Sequence, residues 1–241
     1  MEFNFEDFKE RARDNRLSKW EKIGFPDGYR KGFELNIFND IQSKTSIDKA
    51  KNILDIGCGC SELVENVIKS ANVNNQNLVL IDSMEMLQNI DINILRNNTK
   101  LFSGRFPDNS VLENLKTLTF DVIIVYSVLQ YVFIDQSIFH FIHECIKLLN
   151  SGGRLLLGDI PNFQARERFL MSIEGKEFLS RSAKISNSIN LNHENNERID
   201  DSVVMSILQR FRQFGCETFL LPQAEGLPFS NRREDILIVK R

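Results

Sequence analysis

The stretch from Asn52 to Ser61, reading Asn-Ile-Leu-Asp-Ile-Gly-Cys-Gly-Cys-Ser, constrains this chain's fold more than any other. Ile53 to Ile56 has the length and apolar character of a short buried strand, interrupted by one acid, Asp55. Gly57-Cys58-Gly59 predicts a sharp turn, and Ser61 is suited to cap a helix that follows. A strand, a glycine turn and a helix start leave free N–H groups facing a ligand, with no side chain to block its approach. Asp55 adds a fixed negative charge, which a loop built only for phosphate avoids. A ligand carrying both an anion and a cation suits such a loop.

The rest of the chain repeats the strand-helix pattern. Glu62 to Ala71 is amphipathic through Leu63, Val64, Val67 and Ile68. Leu78 to Asp82 reads as a second buried strand ending in an acid, and a helix begins over Met84 to Leu87. Lys100 to Phe102 is a weaker third strand, and Asp121 to Tyr126 is the clearest of all. Asp135 is placed to cap a helix carrying Ile138, Phe141, Ile142, Cys145, Ile146 and Leu149, which Asn150-Ser151-Gly152-Gly153 stops. Arg154 to Asp159 is the fifth strand, Val203 to Phe214 a helix, and Thr218 to Leu221 and Ile236 to Val239 the last strands. Near-continuous apolar strands belong to a parallel sheet covered on both faces. The expectation is an α/β, doubly wound, Rossmann-like sheet of seven strands, mostly parallel with an antiparallel last strand.

Two segments stand outside this alternation. Residues 1–50 form a helical N-terminal cap, with Phe5, Phe8, Ala12 and Leu17 at spacings of one helical face and a second helix over Phe33 to Ile41. Residues 161–200 are a polar, partly helical insert after strand five, within a main domain of residues 51–241. The cap either covers a ligand site as a lid or packs against the sheet edge.

A net charge of −3 argues against bulk electrostatic binding of nucleic acid. No apolar run is long enough to span a bilayer and the start is acidic, so a cytoplasmic protein without membrane contact is expected. Four cysteines, at 58, 60, 145 and 216, build neither a disulfide framework nor a zinc knuckle, since Cys58 and Cys60 are one residue apart. No metal is expected, and a homodimer is left open.

Several motifs in order carry a family resemblance. Leu54 to Gly59 resembles the first motif of the class I S-adenosylmethionine (SAM)-dependent methyltransferases. Asp82 ends the second strand, where that family has the acid that holds the ribose hydroxyls. Ser127-Val128-Leu129-Gln130-Tyr131 follows the fourth strand like the family's methyl-proximal segment, and Leu148 to Gly153 looks like its Gly-Gly turn before strand five. SAM carries the required anion and cation, as carboxylate, ammonium and sulfonium. Ser61 departs from a frequent third glycine, and Gln130 stands where the family often has histidine, so a histidine base is not expected there. Lys22 to Asp27, Ser127 to Val132, Gly158 to Asn162 and Asn231 to Asp235 also resemble methyltransferases of bacterial surface-polysaccharide pathways.

The resemblance and the strand ends together nominate the site. Asp55, Gly57, Cys58, Gly59, Asp82, Ser83, Arg105, Phe106 and Ser127 are the expected cofactor contacts, with core packing the alternative for Phe106. Gln130, Tyr131 and Asp159 lie at the carboxyl ends of strands four and five, where chemistry on such a sheet takes place. Arg30, Asn162, Arg166, Arg232 and Arg233 are the expected acceptor contacts, the arginines as an anion-binding rim beside Arg168. His140 and His143 belong on a helix away from the site, and His193 in the insert is the histidine able to approach the acceptor. The expected reaction is methyl transfer from SAM to an oxygen, less readily a nitrogen, of a small anionic metabolite, such as a sugar or phosphorylated precursor of surface polysaccharide. A NAD-dependent oxidoreductase fits the fold but wants glycine where Glu62 stands, and a SAM-binding module without catalysis is the other alternative.

Overall fold

In a computed structural model, which describes residues 3–182 and 198–241, four helices precede the first strand: α1 (Phe5–Arg13), α2 (Lys19–Lys22), α3 (Asp27–Arg30) and α4 (Glu34–Thr45). Asn4 and Ser18 start the first two as capping boxes, each answered by an acid three residues on, Asp7 and Glu21. Leu17 lies beyond α1 and does not share its face.

The sheet and its crossovers follow as β1 (Asn52–Ile56), α5 (Glu62–Val73), β2 (Asn77–Asp82), α6 (Met84–Leu87), β3 (Thr99–Ser103), α7 (Asn109–Leu115) and β4 (Phe120–Tyr126). Next come α8 (Leu129–Asp135), α9 (Ile138–Leu148), β5 (Leu149–Pro161), α10 (Phe163–Met171), α11 (Ile173–Ser182), α12 (Asp201–Gln213), β6 (Cys216–Pro222) and β7 (Arg233–Lys240). The seven strands are ordered β3-β2-β1-β4-β5-β7-β6, and only β7 runs antiparallel to its neighbours. This is the expected doubly wound sheet. The order reverses between β1 and β4, which opens a crevice at their carboxyl ends.

Burial explains which strands were easy to see. Ile53, Leu54, Ile123 and Leu155 to Leu157 have no exposed surface, because helices cover both faces of the central strands. Each such aliphatic side chain contributes roughly 1.5–3 kcal/mol of hydrophobic burial. On one face, Val111, Phe141, Ile142 and Phe211 from α7, α9 and α12 pack against Leu54, Ile123 and Leu155. On the other, Val64, Val67, Ile68 and Ile41 from α5 and α4 pack against Ile53, Leu78 and Ile124. At the sheet edge, β3 leaves Lys100, Leu101 and Ser103 exposed.

One expectation is corrected. Asp135 does not cap the helix after strand four; it is the last residue of α8, and Ser137 caps α9 by accepting the N–H of His140. The chain therefore turns a short extra helix, α8, directly beyond β4. His140 and His143 are exposed on α9 as expected, whereas His193 lies outside the described residues, as does part of the 161–200 insert. The described part of that insert forms α10 and α11 and ends at Asp200, the N-cap of α12. No helix among the described residues is long and apolar enough to cross a membrane.

Candidate active site

The glycine turn after β1 is pinned from outside. Gly57 N–H donates to the Ile81 carbonyl at 2.8 Å, and Gly59 N–H donates to the Asp82 carboxylate at 2.9 Å. Gly57 and Gly59 have φ of 72° and 66°, and the space beside them is already taken. A Cβ on Gly57 would sit 2.5 Å from Val128 Cγ2, and one on Gly59 would sit 2.9 Å from Ile23 Cγ2. Glycine is required here on both counts. Ser61 accepts the Leu63 N–H and begins α5, as expected.

This turn forms one wall of an elongated cavity with about 1100 Å³ of free space, its mouth included. Asp55 and Asp82 face it side by side. Burial pushes the Asp55 carboxyl up to about 7, with the Asp82 charge adding to the effect. Burial alone lifts Asp82 to about 6, against the lowering influence of the N–H groups of Gly59 and Ser83. A buried acid, Asp55, and a half-buried one, Asp82, over a glycine turn favour a ligand that brings hydroxyl donors and a positive charge. Cys58 and Ser127 also line this end. Ser83 does its work one step back: its N–H holds Asp82 at 2.7 Å and its hydroxyl caps α6.

Gly104, Arg105 and Phe106, from the turn after β3, line the opposite end with Asp135 and Gln136 of the α8–α9 junction. Gln136 donates to the Phe106 carbonyl and Arg105 to the Asp135 carbonyl, tying the two segments together. Phe106 lines the cavity and packs edge-on against Phe141 in the core. The roof comes from the N-terminal helices: Phe5 and Phe8 of α1, then Ile23 and Phe25. Phe8 meets the ring of Tyr131 edge-on, with centroids 4.8 Å apart, so α1 and α8 close over the middle of the cavity. Sequence reading had Phe5 and Phe8 on one face of a helical cap but nominated none of these four as a site contact.

Beyond the glycine end lies a charged network at the tips of β4, β5 and β7. Ser127 and Asp159 both hold left-handed backbones, φ 59° each, which non-glycine residues adopt only when their surroundings enforce it. Their side chains are joined, Ser127 donating to the Asp159 carboxylate at 2.5 Å. Arg30 donates to the Ser127 hydroxyl at 3.0 Å and lies 3.6 Å from both Asp159 and Glu34. Arg233 donates to Asp159 at 2.5 Å, and Gln223 to its other oxygen at 3.2 Å. Asp159 N–H in turn donates to Asp235, a fully buried acid in β7 that Lys44 of α4 neutralises at 2.7 Å. Burial raises the Asp235 and Glu34 carboxyls, partly offset by Lys44 and Arg30 respectively. Gln223, Asp235 and Lys44 escaped sequence reading, although an acid opening the apolar run Ile236 to Val239 is an anomaly that marks a buried partner.

The nominated acceptor and catalytic residues divide by position. Tyr131, Ser127 and Arg30 line the main cavity, and Asp159 lines a smaller one beside it with Phe25, Tyr126 and Phe229. Gln130 instead turns its amide onto the Ser127 carbonyl at 2.8 Å. Asn162 caps α10 and donates to Asp201 and Glu234, so its polar atoms are engaged within the protein. Arg168 pairs with Asp201 on the surface. Among the described residues no cluster of side chains has metal-binding geometry.

This architecture has counterparts in known proteins. The plantazolicin methyltransferase BpumL, solved in complex with SAH, is 14% identical, with a TM-score of 0.60 over 98% of this chain and 97% of that one. An O-methyltransferase family protein from Burkholderia thailandensis is 16% identical, with a TM-score of 0.60 over 100% of this chain and 64% of that one. The N-methyltransferase NodS from Bradyrhizobium japonicum WM9 is 13% identical, with a TM-score of 0.50 over 89% of this chain and 97% of that one. At such identities the likeness is one of fold. Among curated proteins no sequence matches this chain. A methyltransferase-domain family model matches residues 47–209, which takes in the glycine turn, both cavity acids and strands β1 to β5. The donor set fits SAM: two acids for hydroxyls and ammonium, a side-chain-free turn, and an apolar roof. The chain belongs to the methyltransferase-domain family, and it is a SAM-dependent enzyme.

Proposed function

We propose that this enzyme methylates an oxygen of a small anionic metabolite, such as a sugar or phosphorylated precursor of surface polysaccharide. The observation that carries this reading is Arg232, a cation with no carboxylate partner among the described residues, which sits next to Arg233 and Asp159 at the carboxyl edge of the sheet. Bound SAM supplies an activated methyl group on its sulfonium. Asp55 and Asp82 hold the cofactor's ammonium and ribose, and the glycine turn lets its chain lie against the backbone. Arg105 and Phe106 border its adenine. Phe5, Phe8, Ile23 and Phe25 exclude water above it.

The acceptor enters from the side of Ser127 and Tyr131, both on the cavity wall. Burial raises the Tyr131 phenol, which therefore stays protonated and orients the acceptor as a hydrogen-bond partner instead of taking its proton. Ser127, which already donates to the Asp159 carboxylate, would pass the acceptor hydroxyl's proton to Asp159 while the methyl group leaves the cofactor's sulfur for that oxygen. Arg30 and Arg233 hold Asp159 in place for this step. Proximity and alignment supply most of the acceleration, since the sulfonium is already a good leaving group. The narrower sequence likeness over Lys22 to Asp27 and Asn231 to Asp235 supports the surface-polysaccharide setting, because those segments flank the same network.

The test is a mass-spectrometric screen for products 14 Da heavier, using SAM with nucleotide sugars, phosphorylated sugars and carboxylated metabolites, beside neutral and cationic controls. Methylation of an anionic acceptor at oxygen is expected. Products confined to neutral or amine acceptors would overturn the reading.

A further inference from the structure

Arg232 and Arg233 are neighbours in sequence but have different surroundings. Arg233 opens β7 opposite Pro161, and its charge is spent on Asp159. Arg232 faces three phenyl rings: Phe229 with its centroid at 4.6 Å, Phe178 at 5.0 Å and Phe169 at 5.3 Å. Phe229 is itself stacked on Tyr29 of α3, 5.1 Å between centroids, so the cage is braced from the N-terminal helices. Among the described residues no carboxylate lies within ion-pair distance of Arg232 or of Arg166 on α10. Asp201 is committed to Arg168 and Asn162, and Glu234 to Asn162.

Aromatic faces attract a guanidinium but accept none of its five N–H donors in the plane of the group. Arg232 is half-buried, and burial lowers its pKa, with the positive charges of Arg233 and Arg166 pressing in the same direction. A desolvated cation next to two others is costly for the protein alone, and an arriving anion relieves that cost. The cage is open to that anion, since Phe178 is 37% exposed. It also adjoins the reaction site, because Phe229 touches Arg232 and Arg233 alike while Phe25 links Arg233 to Arg30 on the main cavity wall.

We propose that Arg232, walled by Phe169, Phe178 and Phe229, forms with Arg166, one turn before Phe169 on α10, a subsite for a dianionic phosphate monoester on the acceptor, and that Arg233 is not part of it. Two uncompensated cations match two negative charges, and the fork of Arg232, already flattened on its rings, offers paired donors to phosphate oxygens. This deepens the anionic-acceptor reading above and rests on it. It narrows the substrate to a metabolite bearing a terminal phosphate.

The experiment titrates inorganic phosphate into the full-length enzyme saturated with S-adenosylhomocysteine, by calorimetry at pH 8 and constant ionic strength, with acetate in parallel. Saturable phosphate binding, roughly tenfold tighter than acetate, is expected. Arg232→Ala and Arg166→Ala should each weaken it by roughly tenfold or more, while Arg232→Lys recovers only part. Arg233→Lys should leave it within about twofold, because that residue faces Asp159. Each variant must retain wild-type affinity for S-adenosylhomocysteine, which certifies its fold. No saturable phosphate binding, equal binding of acetate, or an unchanged Arg232→Ala each overturns the subsite. If phosphate binds as expected while the product screen yields only neutral acceptors, the subsite stands and the anionic-acceptor reading fails.

Discussion

Asp55 and Asp82 make cofactor binding a pH-dependent event whose size follows from their burial. The Asp55 carboxyl is raised to about 7 and that of Asp82 to about 6 when the cavity holds no positive charge. In the proposed contacts, an ammonium beside Asp55 and ribose hydroxyls donating to Asp82 favour the ionised forms, so the cofactor should bind the doubly ionised pair and release protons. For Asp55 the ionised fraction climbs from about one tenth at pH 6 to nine tenths at pH 8, a tenfold gain in affinity, and Asp82 adds about twofold. The two titrate as a pair, so the measurable quantity is their sum, about one proton released per ligand at pH 6.5. Calorimetry with S-adenosylhomocysteine, which keeps both the ammonium and the ribose, reads this release directly when run in two buffers of different ionisation enthalpy.

The same shifts set the stability of the protein without ligand. Both pKa values are raised, so the folded state keeps protons that the unfolded chain gives up. Stability is therefore highest near pH 4 on this account and falls as pH rises through 7. Asp55 alone contributes a loss of about 2–3 kcal/mol between pH 5 and pH 8. Asp55→Asn should flatten that thermal-unfolding profile, weaken ligand binding at pH 8 by about 1.5–3 kcal/mol, and shrink the pH dependence of affinity to about twofold. A flat affinity profile in the wild type, or a tenfold rise surviving in Asp55→Asn, would refute the reasoning.

Three further outcomes are expected. Gly57→Val drives a β-branched side chain into Val128 at a backbone φ of 72°, so S-adenosylhomocysteine binding should be lost while helical circular dichroism persists; retained binding would show the turn to be more pliable than this packing allows. Asp82→Ala should cost about 1.5–3 kcal/mol of cofactor affinity by calorimetry, and an unchanged affinity in the folded variant removes the ribose role. Hydrogen exchange in residues 5–30 should slow when S-adenosylhomocysteine binds, because Phe5, Phe8, Ile23 and Phe25 form its roof; protection confined to residues 55–61 would reject the N-terminal helices as a lid.

What was legible in the sequence follows the distance over which each feature is decided. The glycine turn, its acid and its helix cap all fall within ten residues, and each acts on its neighbours through backbone geometry alone. Strands β1, β4 and β5 announce themselves because burial on both faces leaves no polar alternation, whereas exposed β3 gives only a weak apolar signal. The α8–α9 junction failed for a local reason. Asp135 and Ser137 are both competent N-caps two residues apart, and choosing between them depends on whether Leu129 to Asp135 already forms a turn of helix against β5.

The acceptor end is different in kind, since its charges are paired across the whole chain. Lys44 reaches Asp235 over 191 positions, and Arg30 reaches Ser127 over 97. Arginines gathered at one sheet edge are all that sequence shows, and there Arg232 and Arg233 look equivalent. Only the fold gives one a carboxylate and the other three aromatic rings. The consequence is chemical as well as descriptive. In the proposed reaction Asp159 is held as the proton acceptor by cations from α3 and β7, so the N-terminal helices that roof the cavity would also set the charge balance at the point of methyl transfer. A change in the N-terminal helices that displaced Arg30 would therefore reach the chemistry through Ser127 and Asp159, with no contact to SAM altered at its ribose or adenine end.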